Sequence, residues 1–501
     1  MKYLATLVLL ALTAWTAPCA HADQHNDDTD AAAWDADLVT SSHTVSVDGA
    51  GQPLRYTATS GTMVLPDYEG EPRADMFFTA YTLDGVDNPA DRPIIFAFNG
   101  GPGSSSVWLH MGALGPRRIL MGDAEGAPPA PPGQLADNPW TWLDLADLVF
   151  IDPVSTGYSR PAEGESKSQF HGLNQDISSV GDFIRLYVTR YERWSSPKYL
   201  CGESYGTTRC AGLSGYLQTT HGMFLNGIIL VSPILNFQTA RFTDGNDLPY
   251  WLFLPTYTAT AFYHNQLSPR LQRDLQATLR EVETFARTDY LLALAQGDTL
   301  PEDEKQRIVT KLAEYTGLSE AYVRNTNMRI RIYNFCKELM RDERRVVGRL
   351  DSRYTAIEAN HIGSSTERDP SYSAILGPYT AALNDYVRRE LRYKNDHPYE
   401  ILTGRVRPWD YSSHENRFVN VSDTLRSAIS MNPDLRVLSC SGYYDLATPY
   451  YAMDYTISHM RLPPEHRGNI TTTYYESGHM MYVREDDLRK LKQDVADWIS
   501  P

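Results

Sequence analysis

Tyr199-Leu200-Cys201-Gly202-Glu203-Ser204-Tyr205-Gly206 places a serine between two glycines directly after a short apolar run. The run reads as a buried strand, and Gly-x-Ser-x-Gly behind it reads as a sharp strand-to-helix turn that exposes the serine hydroxyl. The glycines have a steric reason, because helix and strand approach too closely there for side chains. Ser204 is therefore a candidate nucleophile. A hydroxyl is a poor nucleophile at neutral pH, so it needs a general base, and the base needs an acid to hold its tautomer and stabilise its charge.

Working outward, short buried-type strands are expected at Ile94–Phe98, Leu148–Ile151, Gly227–Val231, Arg436–Ser441 and Thr471–Tyr475, with helical stretches such as Asp176–Arg190 between several of them. Strands alternating with helices predict a mostly parallel central sheet with helices on both faces, and the strand–Gly-x-Ser-x-Gly–helix turn within it is the one α/β hydrolases carry. Upstream, Thr44–Val47, a turn at Asp48-Gly49, Arg55–Ala58, Gly61–Leu65 and Phe77–Tyr81 alternate as antiparallel strands. In this fold class the triad runs Ser, then Asp or Glu, then His. Asp445 follows the strand Arg436–Ser441 and His479 follows Thr471–Tyr475. Both thus fall beyond the carboxyl ends of strands, where the active sites of open parallel sheets collect. Asp434 precedes its strand and Asp454 falls in the next expected helix, so Asp445 is the preferred acid.

Between 239 and 396 the character changes. Ser268-Pro269 with Leu271, Leu275, Leu279 and Val282, then Leu300-Pro301 running to Gly317, then Met328–Arg345 and Tyr379–Leu391, all read as helical. Sheet-type segments resume afterwards, so residues 239–396 are expected to be a helical cap inserted between two core parts, 41–238 and 397–501, in preference to a second domain with a role of its own.

Lys2, the apolar run Tyr3–Trp15 and Ala20-His21-Ala22 predict a signal peptide over residues 1–22 and export to the periplasm or medium. Residues 23–40 are Asp- and Ala-rich and are expected to form a mobile leader. No later apolar run is long enough to span a bilayer. The formal charge of −16 argues against nucleic acid and anionic membranes as partners. Cleavage near Ala22 would also remove Cys19 and leave Cys201, Cys210, Cys336 and Cys440. An even number in an oxidising compartment allows at most two disulfides, with three full pairings open. Their spacing fits no metal site, and neither metal nor cofactor is expected.

Asn99-Gly100-Gly101-Pro102-Gly103-Ser104-Ser105-Ser106 directly follows the strand Ile94–Phe98. A glycine-rich loop there, together with the N–H of the residue after the nucleophile, can form an oxyanion hole, with Gly101 and Tyr205 as donors. A phosphate loop is disfavoured because no Gly-Lys-Ser/Thr follows.

Phe98–Ser105, Gly202–Gly206 and Ser477-Gly478-His479-Met480 resemble the three signature blocks of the serine carboxypeptidases. Asn138-Pro139-Trp140-Thr141-Trp142, leading to Leu148–Pro153 and Gly157-Tyr158-Ser159, resembles another stretch of that family. The resemblance implies an α/β-hydrolase fold with a cap and removal of C-terminal residues from peptides. It implies Ser204, Asp445 and His479 as triad, Gly101 and Tyr205 as oxyanion hole, and Asn99 with Glu203 as the clamp on the substrate's terminal carboxylate. Ser104 stands where the family has Cys, Gly206-Thr207 stand for Ala-Gly, and the stretch from Asp445 to His479 is short; these departures imply a divergent branch, expected to be bacterial.

The clamp has a physical requirement: an ionised Glu203 would repel a carboxylate, whereas a protonated one donates a hydrogen bond, so activity on peptides is expected to favour acid pH. Two rivals remain at this level: an esterase or acyltransferase using the same triad, and a noncatalytic binding protein on a hydrolase scaffold, for which a broken triad would be the cue.

Overall fold

The computed structural model describes residues 37–49, 51–122 and 129–499. The expected signal peptide and nearly all of the expected leader lie outside these residues.

Nine strands form the path of the main sheet: β1 (Val39–Val45), β2 (Leu54–Pro66), β3 (Pro72–Leu83), β4 (Ile94–Phe98), β5 (Asp147–Ile151), β6 (Lys198–Glu203), β7 (Gly227–Val231), β8 (Arg436–Gly442) and β9 (Ile470–Tyr475). Their order is β1-β2-β3-β5-β4-β6-β7-β8-β9, and a short tenth strand, Arg160–Pro161, pairs with β3. β1, β2, β3 and β5 pair antiparallel, and every neighbour from β5 to β9 is parallel. The chain is thus an α/β-hydrolase sheet with an antiparallel N-terminal extension. Two segments read as separate strands, Arg55–Ala58 and Gly61–Leu65, are one strand here. Gly61 does not break β2 but lets the chain entering β1 cross it, since a Cβ at 61 would stand 2.6 Å from the Asp37 carbonyl. The first strand also begins earlier than expected, because Val39 already pairs with Ser60.

Alternation within the parallel strands sorts their side chains onto two faces. Phe96, Phe98, Leu200, Ile228 and Val437 pack against α1 (Leu173–Arg190), α2 (Tyr205–His221) and α7 (Ser422–Met431). Ile95, Ala97, Cys201, Ile229 and Leu438 pack on the opposite face, against α6 (Pro370–Arg389) and α9 (Glu485–Ile499). Both faces are therefore dry, which is why these strands read as continuous apolar runs rather than alternating ones.

Residues 248–347 build a separate apolar cluster from α3 (Leu248–Tyr263), α4 (Leu275–Phe285) and α5 (Glu302–Thr316), and it reaches the core at Leu446 and Ala452. α5 stops at Gly317 in the left-handed region, as its sequence predicts. α4 does not start at Ser268-Pro269. A single turn, Leu271–Arg273, comes first, and Asp274 then caps α4 by accepting from the Ala277 N–H. The expected helix Met328–Arg345 is instead a short helix, Ile332–Glu338, a turn, and the strand Arg345–Val347 paired with Thr355–Ile357.

Cys201, Cys210, Cys336 and Cys440 are buried free thiols, so there is no disulfide among the described residues. Topology explains this. Cys201 and Cys440 lie on strands separated by β7, which puts them roughly 10 Å apart at the usual strand spacing, beyond the reach of a disulfide. Cys210 packs with the other face and Cys336 belongs to the inserted cluster. Among the described residues no helix is long and apolar enough to cross a membrane.

Candidate active site

β6 ends at Glu203 and α2 begins at Tyr205, leaving Ser204 alone in the turn at φ 60°, ψ −128°. This conformation is strained for a non-glycine residue and is held from both sides. The Ser204 N–H donates to the Val231 carbonyl (3.0 Å), while its own carbonyl accepts from the backbone N–H (2.9 Å) and hydroxyl (2.6 Å) of Thr207. Two backbones meet here. A Cβ on Gly100 would lie 2.4 Å from the Tyr205 nitrogen, and one on Gly206 would lie 2.8 Å from the Phe98 carbonyl. The glycines of the two motifs are the contact between them, which brings the Gly100-Gly101 loop against the N-terminus of α2. Gly100→Ala must push the loop and the turn apart. It is expected to lower stability by about 1–3 kcal/mol and kcat by about 10²-fold or more, the cost of displacing the Gly101 and Tyr205 N–H groups expected to hold an oxyanion; thermal melts and steady-state kinetics read the two effects separately.

The sequence-predicted acid and base come together. His479 Nδ1 lies 2.7 Å from Asp445 Oδ2, and both side chains are buried. Asp445 also accepts from the N–H groups of Ala447 (2.7 Å) and Thr448 (3.1 Å) and from the Thr448 hydroxyl (2.7 Å). A carboxylate so fully engaged takes the Nδ1 proton of the imidazole as its last partner and leaves Nε2 as the acceptor. Burial lowers the pKa of His479, but the charge and hydrogen bond of Asp445, assisted by Glu203, outweigh it and raise the net value. Ser204 and His479 line one cleft of about 740 Å³, together with Asn99, Gly100, Gly101 and Glu203.

Glu203 is buried beneath that cleft, and its pKa rises to about 7, chiefly through desolvation and secondarily through the neighbouring Asp445, against opposing pulls from His479 and Tyr482. The Tyr482 hydroxyl donates to its Oε2 at 2.5 Å. Asn99 is oriented from behind, its Oδ1 accepting from the Leu109 N–H at 3.1 Å. Its Nδ2 is buried without a hydrogen-bond partner of normal geometry, though near enough to Glu203 to help draw that pKa down. A buried, unengaged donor facing a proton-bearing carboxyl is an arrangement that a carboxylate can complete.

Several supporting residues were not apparent in the sequence. Arg209 on α2 pairs with Asp176 (Nε to Oδ2 2.8 Å, Nη2 to Oδ1 3.1 Å) and donates through Nη1 to the Asn99 carbonyl at 2.7 Å, fixing the backbone of the loop. Its signal was its being the one Asp, Glu, Lys or Arg in the sequence of α2. The Ser232 hydroxyl donates to the His479 carbonyl at 2.6 Å. The segment Arg349–Arg353, inside the inserted stretch, laces the acid and base loops together. Its Arg349 carbonyl accepts from Leu446 N–H (3.0 Å), its Leu350 carbonyl from His479 N–H (2.7 Å), and the Ser352 N–H donates to the Tyr444 carbonyl (3.0 Å). Arg353, ion-paired with Asp351 at 2.6 Å, donates to the Glu476 carbonyl at 3.0 Å. Ser104 bridges by hydrogen bonds where the resembling family has a cysteine, accepting from the Trp108 indole at 2.9 Å and donating toward the Ile401 carbonyl at 3.3 Å. Among the described residues no group of His, Cys, Asp and Glu could hold a metal ion.

The family profile described as serine carboxypeptidase matches residues 50–492. Two curated relatives come from Arabidopsis thaliana. Serine carboxypeptidase-like 10 is 25% identical over 164 residues, 31% of this chain and 36% of its own length. Serine carboxypeptidase-like 45 is 28% identical over 204 residues, 38% of this chain and 39% of its own length. The chain thus spans little more than a third of the length of these two relatives. Among solved structures, Kex1(delta)p, a prohormone-processing carboxypeptidase from Saccharomyces cerevisiae, superimposes with a TM-score of 0.53 at 15% identity, covering 88% of this chain and 91% of that one; this likeness speaks for the fold. With a profile match that runs through all four of the sequence blocks and the site they build, the chain belongs to the serine carboxypeptidase family.

Proposed function

We propose that the protein is an exported serine exopeptidase that removes C-terminal residues from peptides through an acyl-enzyme on Ser204. The observation that carries the reading is the convergence in one cleft of a strained, glycine-flanked Ser204, the Asp445-oriented His479, and the buried pair Glu203 and Asn99. Ser204 Oγ attacks the carbonyl of the last peptide bond while His479 Nε2 takes its proton. The oxyanion is held by the N–H groups of Gly101 and Tyr205, and His479 then passes the proton to the departing amine. Water, activated by the same imidazole, cleaves the ester and frees Ser204. Asn99 and protonated Glu203 grip the terminal carboxylate of the substrate, so cleavage stops one residue from the end. Residues 239–396 act as the cap over this cleft, and the reaction needs no metal or cofactor.

The direct test is covalent. A serine-directed organophosphonate is expected to add one adduct, located by peptide mass spectrometry on Ser204. An adduct on another serine, with Ser204→Ala still active, removes the assignment. N-terminal sequencing of the protein recovered outside the cytoplasm tests the export part, with a start near Asp23 expected.

A further inference from the structure

Beside the main cleft lies a second chamber of about 410 Å³; the two share Ser204, Gly101, Arg241 and Arg349, and the second includes neither Glu203 nor Asn99. If the terminal carboxylate sits at Glu203 and Asn99, as the carboxypeptidase reading requires, the residue before the scissile bond must leave Ser204 on the other side, into this second chamber. Its floor is apolar and aromatic, with Tyr205, Ile234 and Phe237. Its charged side chains are all cationic: Arg241, Arg331 and Arg349, with no Asp, Glu or Lys lining it. On a chain of net charge −16, three arginines and no acid around one chamber is a local reversal of sign.

Two of the three are not spent on other partners. Arg241 makes no ion pair among the described residues, and its guanidinium lies over the Phe237 ring at 5.3 Å, which holds it at the chamber wall. Arg349 is half-buried, makes no side-chain hydrogen bond or ion pair among the described residues, and stands within electrostatic reach of His479. Only Arg331 has a counter-charge, Asp244 at 3.8 Å, and that carboxylate is fully exposed. Arginines left free at a concave, partly apolar wall are suited to a planar carboxylate arriving with the ligand.

We propose that the second chamber selects peptides with an acidic residue immediately before the one removed, with Arg241 and Arg349 as the residues that recognise its carboxylate. This specificity rests on the carboxypeptidase reading of the same site. The bound acidic side chain places its aliphatic stem against Ile234 and Phe237 and its carboxylate between the two guanidinium groups.

The experiment compares N-blocked dipeptides ending in Phe, with Glu, Gln or Lys before it, as kcat/KM in wild type and as Kd on Ser204→Ala. Glu and Gln differ in charge and hardly in size. Glu is expected to exceed Gln by about tenfold, the size of one hydrogen bond to a charged group, and Lys is expected to fall below Gln. Added salt should shrink the Glu:Gln ratio. In Arg241→Gln, Arg349→Gln double-substituted protein the ratio is expected to approach one. A ratio cancels any change in His479 basicity that loss of Arg349 brings, since the base serves every substrate alike. A Glu:Gln ratio near one in wild type, or one that survives the double substitution, overturns the inference. The two readings fail separately. Tight, Arg-dependent binding of the Glu peptide without turnover of any peptide upholds the chamber and removes the exopeptidase. Turnover of all three peptides at equal kcat/KM does the reverse.

Discussion

Ser204→Ala and His479→Ala are each expected to lower kcat/KM by about 10⁴- to 10⁶-fold, and the double substitution by little more than either alone, because nucleophile and base act as one unit. The structure gives a reason to expect the acid to matter nearly as much. Asp445 takes four hydrogen bonds, and the one from His479 Nδ1 fixes which imidazole nitrogen is free to act. Asp445→Asn presents an amide that can donate where the carboxylate accepts, which favours the wrong tautomer; a loss of about 10⁴-fold is expected. Thermal melts close to wild type would show that the loss is chemical. Near-normal turnover in Ser204→Ala would exclude the acyl-enzyme route altogether.

The second large effect is on pH dependence. With its pKa raised to about 7 by burial, Glu203 carries a proton below that pH and loses it above. On the proposed reading, cleavage of a peptide needs Glu203 protonated, to donate to the terminal carboxylate, and His479 neutral, to accept from Ser204. Because His479 is also raised and each group acts on the other, kcat/KM for a blocked dipeptide is expected to be bell-shaped with two macroscopic limits belonging to the pair. Above the alkaline limit it should fall about tenfold per pH unit. The C-terminal amide of the same dipeptide lacks the carboxylate and should keep only the acid limb. Glu203→Gln donates without titrating, so the alkaline limb should vanish for the peptide too. The acid limb should move to lower pH, since the substitution removes a negative charge that favours protonated His479. Tyr482, Asn99 and Asp445 surround the same carboxyl and remain in place. Superimposable profiles for peptide and amide in the wild type would show that Glu203 does not read the carboxylate, and an esterase would then describe the site better.

Much of this was legible in the chain because burial on both faces writes itself as uninterrupted apolar runs. Ile94–Phe98 and Gly227–Val231 are strands with the bounds their sequence suggests. The turn motifs were legible for a related reason: Gly100 and Gly206 sit where one backbone rests on another, and no other residue fits. Local spacing failed where tertiary contact decides conformation. Ile330, Ile332, Phe335, Leu339 and Met340 are all buried and spaced as on a helix. Yet Met328 and Arg344 adopt left-handed backbone, so the helix covers only the middle of that run. Arg209, Ser232 and the Asp351–Arg353 pair were invisible for another reason. Each acts on a segment more than 20 residues away in sequence, and nothing in its own neighbourhood marks the partner. The free thiols belong to the same class, since only strand order shows that Cys201 and Cys440 have β7 between them.

The lacing of the Asp445 and His479 loops by Arg349–Arg353 bears on how this chain can be rebuilt. Asp445 and His479 lie in loops just beyond β8 and β9, but the backbone groups that tie those two loops together come from residues 349–353, within 239–396. Asp351 even occupies the space that a side chain at Gly478 would need, with its Cα 2.5 Å from that position. Residues 239–396, if they form a cap, are therefore not an interchangeable module. A shortened chain that keeps Ser204, Asp445 and His479 but omits 349–353 is expected to lose the contacts that keep imidazole and carboxylate in register. Grafting a relative's segment in place of 239–396 would have to carry an equivalent five-residue splint, and changes made there to alter substrate range would be constrained by the Asp445–His479 pair that the splint holds.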